Sequence, residues 1–308
     1  MEAAEQKMKR FARPEGIVDA VLDTDAYNEI DDQYAISYML ASPEKINVKA
    51  FYAAPFLNEK SVSPEDGMEK SYQEILHLLR LAGHEEYISC TFRGSPDYMK
   101  DEKTPVISPA AKDLAERAMA YTEEEPLYVL AIGAITNVAS AIVLNPEIVK
   151  RIRVVWLGGH ALEWSHTKEF NMRQDVAAAR VVFSCGAGLV QLPCCGVVDM
   201  LRTTGPELEY WLGGKSPLCD YLVRHTVEEA ESYAKGKPWS RVIWDVTAVA
   251  WLLDAEGKMM QQKIIPAPMP GYDHHYEQKP NGHDMAYVWH INRDALFESL
   301  FTKLVNMK

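Results

Sequence analysis

Five carboxylates fall within ten residues of the chain: Asp23, Asp25, Glu29, Asp31 and Asp32, in the stretch DTDAYNEIDD. Like charges packed this closely at the end of a strand are costly unless something positive sits among them. A hard cation such as calcium or magnesium meets that need, since both take carboxylate and carbonyl oxygens. The competing reading is a solvated acidic loop in which Asp31 and Asp32 complement the N-terminal dipole of the next helix. The apolar run IVDAVLDTD directly in front of the cluster favours the ion.

That run reads as a buried strand ending near Thr24, followed by a helix from Gln33, QYAISYMLAS, with apolar residues at helical spacing. Strands and helices then alternate. NVKAFYAA, ISCTF, LYVLAIG, RVVWLGG and LVQLP read as strands. Helices are expected from about Met68 to the stop at Gly83, from Ser108 with Pro109 in the first turn, over TNVASAIVLNP, over QDVAAARVVFSCG, over most of 206–239, over WDVTAVAWLLD and over RDALFESLFTKLV. Such alternation implies right-handed crossovers and an α/β fold with a mainly parallel open sheet flanked by helices, Rossmann-like in layout. Its ligand site is expected beyond the carboxyl ends of the strands. Short connections favour one domain over 1–308, with a lead-in segment at 1–15 and a C-terminal lid and helix at 256–308.

Composition narrows the function. The 308 residues carry a net charge of −12, which argues against nucleic-acid and membrane-surface partners, because both want a cationic face. It leaves room for a cation and a small neutral substrate. No apolar run approaches the roughly 18 residues of a membrane span. The five cysteines form no CxxC pair and read as reduced thiols of a cytoplasmic protein.

Five pieces of the chain, in order, resemble the nucleoside hydrolases, the inosine–uridine type N-ribohydrolases. VLDTD…DDQYAISYML is similar to that family's DTDPGxDD and its following helix. AIGAITNVASAI resembles its strand–GPLTN–helix segment, VVWLGG its glycine pair, EFNMRQDVAAARVV its EFN-x(3)-DPEAA stretch, and WDVTAVAWLLD its HDPLAVAYLLD segment. Together they span roughly 18–255. The resemblance implies one calcium ion per chain and a homodimer or homotetramer. It makes Asp25 both a calcium ligand and the general base that takes a proton from the attacking water. Asp32, the backbone carbonyl of Thr136 and Asp245 would complete the ligands. Asp31 would contact the ribose hydroxyls, with Glu169 and Asn171 holding the sugar from another wall. The chemistry is coherent in its own right. Breaking an N-glycosidic bond builds an oxocarbenium-like sugar, which nearby negative charge favours, and a positioned carboxylate can deprotonate water.

The chain also departs from that pattern. Five residues, AYNEI, separate Asp25 from Asp31 where the family has three, so Asn28 or Glu29 can enter the pocket. Trp244 stands where the family often has a His able to protonate the leaving base; an indole stacks but is no useful acid. Glu163 falls where an Asn is usual, beside an extra Trp164 and His166, and TFRGSPDYMKDEKTPVISP replaces a His-Gly stretch. His160, after the glycine pair, is a pocket candidate, and Trp164 and Trp244 read either as base-stacking walls or as core packing, with the pocket favoured for Trp244 beside Asp245. The Gly/Pro-rich segment with His274 and His275 reads as a surface or pocket-lid loop, with His275 and Tyr276 as candidates for the missing acid should it cover the site. Cys194 and Cys195 read as structural. Two other functions compete: a DxD phosphatase of the haloacid dehalogenase type, suggested by LDTDAY, and a non-catalytic nucleoside- or sugar-binding protein.

Overall fold

A computed structural model describes residues 10–277 and 282–307. Most of the lead-in segment at 1–15 therefore lies outside the described residues; its end is docked, with Phe11 buried and Arg13 donating to the Met260 carbonyl at 2.8 Å.

The central sheet has eight strands: β1 (Val18–Thr24), β2 (Ile46–Ala53), β3 (Thr91–Phe92), β4 (Leu127–Ala131), β5 (Ile152–Leu157), β6 (Gly188–Leu192), β9 (Met260–Pro266) and β12 (Asp284–Ile291). Their order across the sheet is β3-β2-β1-β4-β5-β6-β12-β9. Every pairing is parallel except that of β12 with β9. Short two-stranded pairs are formed by β7 (Arg202–Thr203) with β8 (Arg241–Val242), and by β10 (Met269–Pro270) with β11 (Tyr276–Glu277).

Helices cover both faces, which is why the strands are apolar on both. Along β4, Leu127, Val129 and Ala131 enter one core, while Tyr128 and Leu130 enter the other. Helix α1 (Asp31–Leu40) is buried along its whole length. It packs between α2 (Pro64–Leu81), α9 (Val246–Leu253) and α10 (Arg293–Asn306). Ser63 caps α2 and Ser108 caps α3 (Pro109–Arg117), each accepting from a backbone N–H three residues on. On the other face lie α4 (Thr136–Leu144), the short α5 (Phe170–Gln174) and α6 (Val176–Ser184); α7 (Gly205–Leu212) and α8 (Pro217–Ala234) fill the stretch expected to be helical.

Two differences from the sequence reading matter. The 256–308 stretch is more than a lid and a helix, because β9 and β12 extend the central sheet. β9 is an edge strand in which only Met260 is fully buried, so MQQKIIP reads as polar. The second difference is that α2 begins four residues earlier than Met68, at Pro64.

β1 hydrogen-bonds to β2 on one side and to β4 on the other. The connection out of β1 leads to one neighbour and the return comes in on the opposite side. Loops after β1 and β4 therefore diverge and leave a crevice, the usual ligand position in such sheets.

Candidate active site

A cavity of about 210 Å³ occupies that crevice. The β1 side is acidic, with Asp25, Glu29, Asp31 and Asp32 joined by Trp244 and Asp245 from the start of α9. The side built from the ends of β5 and β6 contributes His160, Lys168, Glu169, Asn171, Cys194 and Cys195, with Ile132 and Leu157 between.

The acidic side is assembled locally. Asp25 closes a turn by accepting the Asn28 N–H on its backbone oxygen at 2.7 Å. The Asn58 amide donates to Asn28 Oδ1 at 2.6 Å and Lys60 Nζ donates to the Asn28 carbonyl at 2.7 Å. Ala26 and Ile30 are buried, which folds the longer AYNEI spacer inward. Both Asn28 and Glu29 then reach the cavity. No side chain caps α1, whose first two residues are Asp31 and Asp32. Gly133 makes room for Asp25: a Cβ there would lie 2.9 Å from Asp25 Oδ1 and 3.0 Å from Ala54.

Asp31, Asp32 and Asp245 place carboxylate oxygens within 4.8 Å of one another, all three buried. Burial, then repulsion from Asp32 and Asp31, holds the Asp25 carboxyl well above its ordinary value. Burial pushes Asp32 up to about 7. Asp245 is raised by burial and by the neighbouring charges of Asp31 and Asp32. Asp25 Oδ2 and Asp31 Oδ1 are buried with no hydrogen-bond partner among the described residues. Unpaired buried carboxylate oxygens are costly and need an explanation. A hard cation supplies one: oxygens on opposite sides of a calcium lie roughly 5 Å apart, given its ligand distances. The donor set is oxygen throughout, which suits calcium or magnesium and not zinc.

On the other side, Glu169 caps α5 and is saturated. Its Oε2 accepts the Gly159 N–H at 2.8 Å and the Met172 N–H at 2.9 Å, and its Oε1 accepts the Asn171 N–H at 2.8 Å. The Cys194 thiol donates to it as well. Asn171 donates to the Ile132 and Leu157 carbonyls at 3.1 and 3.0 Å, locking the ends of β4 and β5 together. Gly159 has φ 75°, and a Cβ there would lie 2.3 Å from the Tyr276 hydroxyl. Only glycine fits.

Of the residues singled out in the sequence, the structure brings Asp25, Asn28, Asp31, Asp32, His160, Glu169, Asn171, Trp244 and Asp245 to one cavity. Thr136 and Trp164 are not among its lining residues. The Thr136 hydroxyl turns away to Asp175 Oδ2 at 2.7 Å. Trp164 is half exposed, with its ring 5.7 Å from that of His160. The expected lid acids also lie elsewhere. His275 is exposed beside Asp273, and the Tyr276 hydroxyl is buried against Gln191 at 2.7 Å. Arg241 was missed: it donates to Glu29 at 2.6 Å and its charge opposes the rise of the Asp31 pKa. Lys168 was missed as well, and Cys194 and Cys195, read as structural, line the cavity. Adjacency to EFN and a strand-end position were the available signals.

An open, doubly wound sheet with a buried, oxygen-only cradle at its switch point fits the α/β class of small-molecule enzymes, with a cradle that could hold a metal ion. The chain belongs to the nucleoside hydrolase family: the family model described as inosine-uridine preferring nucleoside hydrolase matches residues 20–295. It is thereby an N-glycosyl hydrolase. Pyrimidine-specific ribonucleoside hydrolase RihA of Citrobacter koseri is 26% identical over 251 residues, 73% of this chain and 77% of the relative. Non-specific ribonucleoside hydrolase RihC of Salmonella newport is 28% identical over 180 residues, 57% of this chain and 56% of the relative. Among solved structures, the purine-preferring ribonucleoside hydrolase from Gardnerella vaginalis aligns with a TM-score of 0.75 at 20% identity, over 94% of this chain and 98% of that one. The plant nucleoside hydrolase PpNRh1 aligns at 0.73 and 19%, over 94% and 99%. These structural likenesses speak for the fold. Nothing in the comparisons supports the phosphatase or the binding-only reading. No described helix is long and apolar enough to cross a membrane.

Proposed function

We propose that the protein hydrolyses the N-glycosidic bond of a ribonucleoside or a related N-ribosyl compound, releasing ribose and a free base, with one calcium ion bound per chain. The observation that carries this reading is the unpartnered Asp25 Oδ2, buried beside the cradle of Asp31, Asp32 and Asp245. Asp31, Asp32 and Asp245 would hold the ion, with Asp25 and, by family resemblance, the Thr136 carbonyl as further candidate ligands. When bound, the ion supplies positive charge that orients sugar hydroxyls and makes water easier to deprotonate.

The residues of the chain do the rest. Asp25 Oδ2 accepts a proton from water while the water oxygen attacks the anomeric carbon. The C–N bond breaks and its electron pair leaves with the base. Positive charge that develops on the ring oxygen and anomeric carbon faces carboxylates placed before the reaction begins, so little reorganisation is needed. Trp244 lines the cavity next to Asp245 and offers a flat apolar face to the base. Its indole supplies no proton, so the base takes one from solvent.

The test is ribose release from purine and pyrimidine nucleosides, before and after chelation. Turnover that stops with a chelator and returns with calcium supports the proposal. Turnover unaffected by exhaustive chelation removes the ion from it, and binding without any turnover overturns it.

A further inference from the structure

Six carboxylates share the cavity with one cationic side chain, Lys168. Among the described residues that ammonium has no carboxylate partner. Two imidazoles belong to this part of the chain, and one of them, His160, lines the same cavity. His160 Nδ1 accepts the Cys195 backbone N–H at 3.3 Å, and His166 Nδ1 accepts the Lys168 backbone N–H at 3.2 Å. A neutral imidazole whose Nδ1 accepts carries its proton on Nε2. The two rings are 5.5 Å apart. The cavity wall therefore presents two donors, the Lys168 ammonium and the His160 Nε2–H, with the His166 ring against that of His160.

The neighbouring acceptor is already occupied. A carboxylate offers about four lone-pair sites. Glu169 gives three of them to backbone N–H groups, with the Cys194 thiol as its buried neighbour. A neutral sugar hydroxyl arriving here would find donors in excess and its natural acceptor largely spent. A group with several acceptor oxygens and negative charge fits what is present, and lysine is a common point-charge partner of phosphate.

Sugar geometry says where that group sits. If the acidic side grips the ribose through its 2′- and 3′-hydroxyls, the base and the 5′ substituent leave the ring in different directions. Trp244 marks the base side. The donors adjoin Glu169 on the β5–β6 side, which leaves them for the 5′ substituent. The geometry points to a substrate that carries a phosphate at that position, a ribonucleoside 5′-monophosphate, with Lys168 and His160 as the residues that select it. This deepens the ribohydrolase reading and rests on it. Hydrolysis of such a substrate follows the same steps and releases ribose 5-phosphate and the base.

The experiment compares kcat/KM for uridine and adenosine with kcat/KM for their 5′-monophosphates, in the calcium-loaded protein and in Lys168→Met. The monophosphates should be preferred by about tenfold or more, and the ratio should fall by about tenfold in the variant. Preference for the unphosphorylated nucleosides, or a ratio that Lys168→Met leaves unmoved, overturns the proposal. Calorimetric titration with ribose and with ribose 5-phosphate decides it without turnover. Tighter binding of the phosphate, lost in Lys168→Met, supports it, and equal binding refutes it. Failure of every substrate to turn over would instead strike the ribohydrolase reading.

Discussion

Arg241 donates to Glu29 across 2.6 Å and so joins the segment in front of Trp244 to the acidic loop. The same guanidinium lies 3.2 Å from Glu229. Lys60, 3.5 Å from Glu229, donates to the Asn28 carbonyl, so the loop is held at two points by one charge network. Among carboxylates that burial and mutual repulsion drive toward protonation, Arg241 is the group that pulls Asp31 the other way.

Arg241→Met keeps most of the side-chain volume and removes the charge. Glu29 is partly exposed, so the pair itself is worth about 1 kcal/mol or less. The metal-free protein should nevertheless lose about that much stability, because Asp31 also loses its only opposing charge among the causes that act on it. Added calcium should close the gap with the native protein, since it supplies the missing positive charge. Urea unfolding curves with and without calcium check this; superimposable metal-free curves would show the network to be inert.

Gly133→Ala tests how tightly Asp25, the proposed general base, is positioned. The added methyl would come within 2.9 Å of Asp25 Oδ1 and 3.0 Å of Ala54. Neither can move far, because both are buried. The expected cost is about 1–3 kcal/mol of stability. Turnover should drop about a hundredfold, as small displacements of a positioned catalytic group cost that much. The loss should appear in kcat, with KM changed less than threefold.

His160 gives a pH signature that does not involve the acidic cluster. Burial, then the charge of His166, lowers its pKa to about 4, against a weaker upward pull from Asp199. The folded state therefore binds the proton less readily than the unfolded state, whose imidazole titrates near 6.5. Stability from this group is complete above about pH 6.5 and is lost as pH falls toward 4. His160→Gln should flatten that part of the stability–pH curve. An imidazole titration by NMR with a midpoint near 6.5 would refute the buried, neutral assignment.

How much of this was readable in the residues follows from what each one contacts. The acids of β1 and α1 were legible because an apolar run ending in carboxylates has few structural explanations. Asp245, Glu169 and Asn171 came from motifs that resemble one family. Arg241 was not legible: SRVIWD looks like an ordinary edge of a short strand, and its partner Glu29 sits 212 residues away. Lys168 was hidden for a similar reason, since a lysine before an acidic motif reads as solvated surface. Trp164 shows the converse failure. Its type suggested a stacking wall, but none of Leu162 to Ser165 lines the cavity, and the Trp164 side chain is half exposed. Tyr276 went the same way, for its hydroxyl was needed in the packing around Gln191 and Gly159.

Asp25→Asn should separate catalysis from stability in opposite directions. Most substitutions at buried sites destabilise. Here the native carboxylate is buried, has an unpartnered Oδ2, and is repelled by Asp32 and Asp31. The amide has almost the same shape and no charge, so it removes the repulsion and adds donors that the neighbouring carboxylates accept. The metal-free variant should gain about 1 kcal/mol, roughly 2–4 °C in Tm. Calcium should raise its Tm less than it raises that of the native protein, because one acidic oxygen near the cradle has become neutral. Ribose release should fall about a thousandfold or more, since the amide cannot accept the water's proton. Differential scanning calorimetry with and without calcium, run beside a ribose-release assay on the same preparation, measures both. A destabilised variant that kept its turnover would contradict the assignment of Asp25 as the base and the account of its burial together.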